Sequence, residues 1–493
     1  MSRRWAGLRA AAVGEDCRRR LVRLVMIASL ACGAGEAGAG GVMMIVGGMR
    51  DAAPALLRSL EMNSRFPVYG NPRRASLPRA GGAVGKRLRE LAGEFRAAMA
   101  AGRYRAARQL AERALALAPG NPTVLGDYAL CLMREGRHED AYRVYRDIEA
   151  LAPARQQQLA PTWIDGLAEA CGWLGKHDEL RRYGYRSLAA ADARFSVRRQ
   201  WAVPPGRPTP FDARQPERNV IAYSLYGAKP RYCETLVMNA RIVGELFPAW
   251  TCRVYHDDTV PDHVRSRLKA AGTTLIRVDD ALRLAMPGTM WRFLVLDDPA
   301  VARFMIRDAD ALLSEREPAA IEAWLDSGRW FHHMRDYFTH TELLLAGMWA
   351  GCRGVFPPIA PLMADFVRSC PDERRFTDQY FLRAVLWPTI RDSVLNHDEL
   401  FGFHDARPFP AHPPVRWRDV EFHVGSNASY RAVGGPSALA DGAMQTVTLD
   451  DGTNGSFRYD AIVRDGQWSL ELPFFLIEAF ERGDLSVSVP IIA

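Results

Sequence analysis

Hydrophobic positions change their period along this chain. From residue 88 to about 190, apolar residues recur every three or four positions, the spacing of amphipathic helices. From residue 219 the texture alternates. Residues 219–225 read as a buried strand, and 232–247 as a helix with Leu236, Ala240, Val243 and Leu246 on one face. Residues 252–255 then read as a strand, 260–271 as a helix and 274–278 as a strand. Such alternation predicts a parallel sheet with right-handed crossovers. Ligands of such sheets sit at the carboxyl ends of the strands. Tyr226, Asp257, Asp258, Asp308 and Asp310 would share that edge. Past Met444 the period falls to two: 446–449 and 456–459 alternate around the turn Asp450-Asp451-Gly452. Apolar runs at 468–475 and 485–492 complete a small β-rich appendage.

The helical stretch repeats itself. Gly102-Arg103-Tyr104, Ala107, Ala114 and Pro119 match the second half of a tetratricopeptide unit. Thirty-four residues on, Tyr128-Ala129, Gly136, Ala141, Tyr145 and Pro153 match it again, at the period expected for this repeat. A looser third unit carries Leu167-Ala168, Gly175, Leu180 and Tyr183 after a short insertion near Gln156. Small residues let paired helices approach, and the aromatic positions fill the space between neighbours. About three units are the minimum for a stable stack, so docking onto the next domain is expected. A concave groove would suit a peptide or a protein partner.

Composition narrows the classes. The 493 residues suffice for two or three domains, and 48% hydrophobic with 25% charged residues is ordinary for a soluble globular chain. The net charge of +7 is modest, with much of the Arg excess in the first ninety residues, which argues against a nucleic-acid binder. Eight cysteines lie scattered with no paired spacing, fitting reduced thiols in a cytoplasmic compartment. At the front, Arg18-Arg19-Arg20 precedes the apolar run 24–30 and an Ala37-Gly38-Ala39 exit, as in a signal peptide. Glu36 and many glycines interrupt the run, so a spanning helix of about 20 apolar residues is not formed. An export signal, a weak membrane anchor and a disordered leader all stay open.

The chemistry concentrates at Arg303-Phe304-Met305-Ile306-Arg307-Asp308-Ala309-Asp310. An apolar run feeds into two carboxylates at i and i+2, which an extended strand puts on one side. Two hard oxygen donors facing one point suit Mg²⁺ or Mn²⁺, with a phosphate completing the shell. Ser314 and Glu317 follow at capping-box spacing, predicting strand, acidic loop, helix. A solvated Asp-x-Asp turn would read the same way in isolation.

Ser224-Leu225-Tyr226-Gly227, Pro230, Tyr232 and Asn239-Ala240 resemble the opening of a bacterial family of nucleotide-diphospho-sugar transferase-like proteins. Trp291-Arg292-Phe293-Leu294, the Asp308/Asp310 pair, the block from Phe331 to Asp336 with His340 and Gly347-Met348-Trp349, then Asp378-Gln379 and His397-Asp398, are similar to its later blocks in order and spacing. The resemblance runs from about residue 219 to 425. It implies a GT-A fold, a nucleotide-sugar donor and a divalent metal, Mn²⁺ or Mg²⁺. It further implies Asp310 as metal ligand and Asp308 on metal or donor ribose. His397 would be a late metal ligand, with His404 competing. Leu225, Tyr226, Arg231, Arg292 and Gly347 would line the donor, Arg292 and then Arg231 serving as phosphate-facing guanidinium. Asp336 and Asp378 would act at the acceptor, Asp336 taking its proton. Each has a structural rival: Arg292 as partner of Asp297 or Asp298, Asp336 as partner of Arg335, Asp378 as a helix-opening acid. His332 and His333 read as structural histidines. Where the family carries Ser-Arg after the acid pair, this chain has Ala311-Leu312.

The expected organisation is a leader and linker over 1–85, tetratricopeptide-like repeats over 86–190, a linker over 191–217, a GT-A-like α/β domain over 218–430 and a β-rich extension over 431–493. The expected activity is metal-dependent transfer of a sugar from a nucleotide-diphosphate donor, with the repeats recruiting acceptor or partner. The rival from another class is a non-catalytic repeat scaffold carrying a degenerate α/β domain. A nucleotidyltransferase ranks lower, because Tyr226-Gly227-Ala228-Lys229 is a poor basic Gly-rich loop.

Overall fold

Glycine turns set the spacing of the first region. The computed structural model describes residues 83–197, 201–370, 376–418, 421–452 and 455–490. The leader expected over 1–85 thus lies almost wholly outside the described residues. Helices α1 (Ala83–Ala100) and α2 (Tyr104–Leu117), α3 (Pro122–Arg134) and α4 (His138–Glu149), and α5 (Trp163–Trp173) and α6 (His177–Phe195) form three hairpins. Each hairpin turns at a glycine in the left-handed region: Gly102, Gly136 and Gly175, at φ 67°, 73° and 67°. A Cβ would be strained there, which explains the repeat's glycine. Ala107, Ala141 and Leu180 sit just past these turns and are buried, so the helices close on small or apolar residues.

The α/β domain follows with β1 (Asn219–Leu225), α7 (Pro230–Leu246), β2 (Thr251–His256), α8 (Asp262–Ala270), β3 (Thr274–Arg277), β4 (Arg303–Arg307), α9 (Arg316–Ser327), β5 (Phe331–Arg335), β6 (Met348–Cys352), α10 (Ile359–Ser369) and β7 (Val394–Asp398). The strands order as β3-β2-β1-β4-β6-β5-β7 in one sheet. The expected sheet was parallel; the observed sheet is mixed. β6 runs antiparallel to both β4 and β5. The loop between β5 and β6 contains no helix, so the chain turns back instead of crossing over. β1, β2, β3, β4, β5 and β7 share one direction, and their carboxyl ends form one edge.

Half of the predicted capping box forms. The Ser314 amide supports the Glu317 carboxylate, but Ser314 Oγ has no partner. Glu317 turns inward to a buried ion pair with Arg307 at 2.6 Å, anchoring the residue just before Asp308.

The repeats lean on this domain as expected. A Cβ on Gly172 would fall 2.3 Å from Phe338 Cγ, and one on Gly184 would strike the Phe401 ring. Asp192 of α6 accepts from Trp387 Nε1 at 2.7 Å and from both Arg391 nitrogens at 2.9 and 2.8 Å. Phe338 follows β5 and Phe401 follows β7, so the last hairpin borders the carboxyl edge. The extension, β8 (Arg431–Pro436) through β12 (Ser486–Ser488), folds into small antiparallel sheets. It docks on α7 and α8: Tyr459 Oη donates to Glu234 at 2.5 Å, while Arg267 pairs with both Glu234 oxygens. Among the described residues no helix is long and apolar enough to cross a membrane.

The contact at Gly172 can be weighed against helix propensity. Alanine in place of a helical glycine gains about 1 kcal/mol, whereas overpacking a filled core costs about 1–3 kcal/mol. Gly172→Ala should therefore lose up to roughly 2 kcal/mol in denaturant unfolding. Gly93→Ala in α1, where a Cβ meets nothing within 4 Å, should gain by a fraction of that.

Candidate functional site

β4 is buried along its whole length and delivers Asp308 and Asp310 to the carboxyl edge. One guanidinium organises what surrounds them. Arg292, 4% exposed, donates through Nη1 to Asp308 Oδ1 and to the Arg307 carbonyl at 3.0 Å. Its Nη2 donates to Asp378 Oδ2 at 3.1 Å. Its amide donates to Ser224 Oγ on β1 at 2.9 Å. Arg292 therefore ties the ends of β1 and β4 to the short helix Thr377–Phe381. It is not partnered by Asp297 or Asp298. Asp297 caps α10 through the amides of Ile359 and Ala360, and Asp298 pairs with Arg253.

Asp308 keeps 40% of its side chain exposed. Its second oxygen leans on the backbone of Gly347, where a Cβ would sit 1.8 Å away. Gly347 is required there for close approach. Gln379 fixes the loop that carries it, accepting from the Ala346 amide at 3.0 Å and donating to the Leu344 carbonyl. Asp310 is partly buried, and burial and then the neighbouring Asp308 charge push its carboxyl up to about 6. Asp378 is also raised, chiefly by burial.

Aromatic residues wall the mouth. Tyr226 is 45% exposed and meets Trp291 edge-on, with ring centres 5.6 Å apart. Arg231 lies between the rings of Tyr232 and Tyr430 at 4.6 and 4.5 Å and pairs with Glu471 at 3.2 Å. Its charge reaches Asp310. Leu225 is 1% exposed, so it offers a ligand its backbone only.

The structure thus gathers Tyr226, Arg292, Asp308, Gly347 and Asp378, with Asp310 and Arg231 alongside. It does not bring His397 to the acids. His397 lies on edge strand β7, 2% exposed, with Nδ1 2.7 Å from His332 Nε2. His404 turns its Nε2 to the Arg391 carbonyl at 2.7 Å. Asp336 stands at the end of β5, with β6 between it and β4. Its partner is Arg316 at 2.9 Å, not Arg335, and its Oδ2 also accepts from the Val424 amide. Arg335 pairs with Asp398 instead.

Sequence reading missed the strap over residues 421–430. It crosses the acidic loop, where Asn427 bridges Ala311 and the Ala428 amide donates to the Asp310 carbonyl at 2.9 Å. The available signal was His423-Val424-Gly425, a polar residue and a turn glycine inside a short apolar run. Gly425 has φ 80° and packs against Met348.

The pH dependence of Asp310 follows from its raised carboxyl. Stability associated with its protonated form is complete below the ordinary carboxylate range and is lost as pH rises through about 6. Asp310→Asn should therefore raise stability at pH 8 by about 1–2 kcal/mol, discounted for partial exposure. The gain should vanish by pH 3.5–4, as read by chemical denaturation across that range.

Comparison with known proteins gives one family match, to the tetratricopeptide repeat over residues 98–160. No curated protein sequence matches the chain. Among solved structures, a variant O-GlcNAc transferase from Thermobaculum terrenum aligns at 18% identity over 41% of this chain and 44% of that one, with a TM-score of 0.22. The chain thus spans less than half of that protein's length. A mycobacterial protein aligns at 14% identity over 46% of this chain and 71% of that one, with a TM-score of 0.22. Glucosyl-3-phosphoglycerate synthase from Mycobacterium tuberculosis, solved with Mn²⁺, UDP and phosphoglyceric acid, aligns at 12% identity over 56% of this chain and 99% of that one, with a TM-score of 0.23.

Proposed function

We propose that the protein transfers a sugar from a nucleotide-diphosphate donor in a reaction that uses a divalent cation, Mn²⁺ or Mg²⁺, at Asp308 and Asp310. The observation that carries this reading is the charge balance at the carboxyl edge. Asp308, Asp310 and Asp378 lie around one buried guanidinium, Arg292, which is already bonded to two of them. A diphosphate entering there would meet uncompensated negative charge unless a cation came with it. The donor set fits one. Asp310 is free of any ion pair, and Asp308 is exposed at the mouth with Arg292 on only one oxygen.

When bound, the cation would stabilise the charge that builds on the departing diphosphate. The chain's own residues do the rest. Arg292 holds Asp308 and keeps Asp378 beside the pair. Gly347 lets the backbone approach so that Asp308 keeps its place. Tyr226 offers an exposed ring for a base or sugar face, and Arg231 is the second cation at the rim. Asp378 is the nearer of the two acids assigned to the acceptor. The repeats, docked beside this edge, would present the acceptor or a partner protein.

A second reading, a repeat scaffold with an inactive α/β domain, draws on one observation. Ala311 and Leu312 are buried beneath the strap, so no cation follows the acid pair.

Thermal shift and donor hydrolysis separate the two. With Mn²⁺, at least one of the UDP-, GDP- and ADP-sugars should raise the melting temperature by several degrees and be hydrolysed slowly. Asp310→Ala should abolish both effects. Gly347→Ala should reduce them at least tenfold by displacing Asp308. Donor-blind, metal-independent melting in the unmodified protein would leave the scaffold.

A further inference from the structure

A second cluster stands apart from the acid pair. One ligand atom from each of Asp336, His340 and His423 lies within 4.8 Å of the other two. All three side chains are more than nine-tenths buried: Asp336 is 2% exposed, His340 9% and His423 8%. Each has a buried polar atom without a hydrogen-bond partner: Asp336 Oδ1, His340 Nδ1 and His423 Nε2. Buried polar atoms are normally satisfied, and each exception calls for an explanation. Here three exceptions fall in one cluster.

Direct hydrogen bonding within the cluster does not account for them. Asp336 Oδ1 is 4.0 Å from His340 Nδ1 and 3.9 Å from His423 Nδ1, too long for such bonds. The Asp336 Oδ1 to His340 Nδ1 separation is about half an ångström wider than the roughly 3.4 Å between neighbouring ligands of a tetrahedral zinc-sized ion. The surroundings hold the donors as a metal site requires. Asp336 Oδ2 is fixed by Arg316 and the Val424 amide, leaving Oδ1 over. His423 gives its Nδ1 proton to the Val424 carbonyl at 3.1 Å, so Nε2 carries a lone pair. Burial depresses proton affinity at both rings, keeping them neutral and able to ligate. The largest charges acting on Asp336 are those of Arg316, Glu317 and Glu399.

We infer that Asp336, His340 and His423 bind a divalent transition-metal ion of the zinc class, one that ties the strap to the end of β5. Two imidazoles and one carboxylate select such an ion over Mg²⁺ or Ca²⁺, which prefer all-oxygen shells. The strap bearing His423 continues to Ala428, which holds the Asp310 carbonyl. Tyr337 stacks on His423 at 4.0 Å, Phe338 on Tyr337 at 4.2 Å, and Trp173 of the last repeat hairpin meets Phe338 at 4.9 Å. The ion therefore sits where repeats, sheet and strap meet. This inference does not require the α/β domain to be a transferase.

The test uses the full chain, stripped with a chelator and titrated with Co²⁺, whose visible absorption reports a nitrogen-and-oxygen site, and with Zn²⁺ as competitor. The unmodified protein and Asp310→Ala should both develop a visible band that Zn²⁺ erases. His340→Gln and His423→Gln should lose that band. His423→Cys should regain it with an added sulfur-to-cobalt band, which keeps the test decisive if a Gln variant misfolds. Stripping should speed amide hydrogen exchange over residues 423–428. No band in the unmodified protein, or a band lost in Asp310→Ala and kept in His340→Gln, would overturn the inference. Unchanged exchange after stripping would overturn the link to the strap.

Discussion

A single buried guanidinium sets the geometry of the carboxyl edge. Arg292 is out of water and bonded to Asp308, Asp378, a carbonyl and, through its amide, Ser224. A buried ion pair contributes little net stability by itself, because desolvation offsets most of the attraction. Breaking one is costly, because the remaining charges are left without compensation. Arg292 therefore specifies position more than it adds stability. It fixes where two acids from distant parts of the chain stand, and Asp310, outside that grip, is left carrying unbalanced charge. Its carboxyl is pushed up to about 6 by burial and then by the neighbouring Asp308 charge.

The same edge is braced from two further sides. Below, Arg307 and Glu317 form an ion pair with both side chains almost fully buried, at 2.6 Å, so the last residue of β4 cannot shift without breaking it. Above, the strap crosses from His423 to Ala428 and pairs with Ala311. The acidic loop lies between a buried ion pair and a backbone bridge, and the Asp308 side chain remains exposed between them. This arrangement suits a site that must hold charged groups in place before a ligand arrives.

Much of this was legible in the chain, and the gaps have physical causes. The first strand and its helix could be read because apolar period and Gly227 punctuate them. Asp308 and Asp310 stood out because an apolar run ended on them. Arg292 was legible as a cation but not as a clamp, since nothing in sequence relates position 292 to 308 and 378. The antiparallel β6 was missed because five apolar residues carry no sign of direction. His397 and His423 both sit in short apolar runs ahead of a turn, and local pattern cannot rank them. Only pairing across β5 and β7 reveals that His397 faces His332. Asp336 was legible as an acid at a strand end. Its burial against Arg316 and the Val424 amide depends on a segment nearly ninety positions downstream.

The docking of the repeats follows from the same logic of shared surfaces. Three hairpins are near the lower limit for an isolated stack, so the last must cover its open face. It does so with Gly172 and Gly184, residues small enough for Phe338 and Phe401 to press against the helices. Those two aromatics belong to the loops after β5 and β7. The surface that stabilises the repeats therefore lies on loops at the carboxyl edge of the sheet. A partner that bent the last hairpin would move Phe338, and with it Tyr337 and His423, through contacting rings rather than through flexible chain. In a densely packed interior such displacements are carried from ring to ring. That gives the last hairpin and the strap a direct mechanical connection.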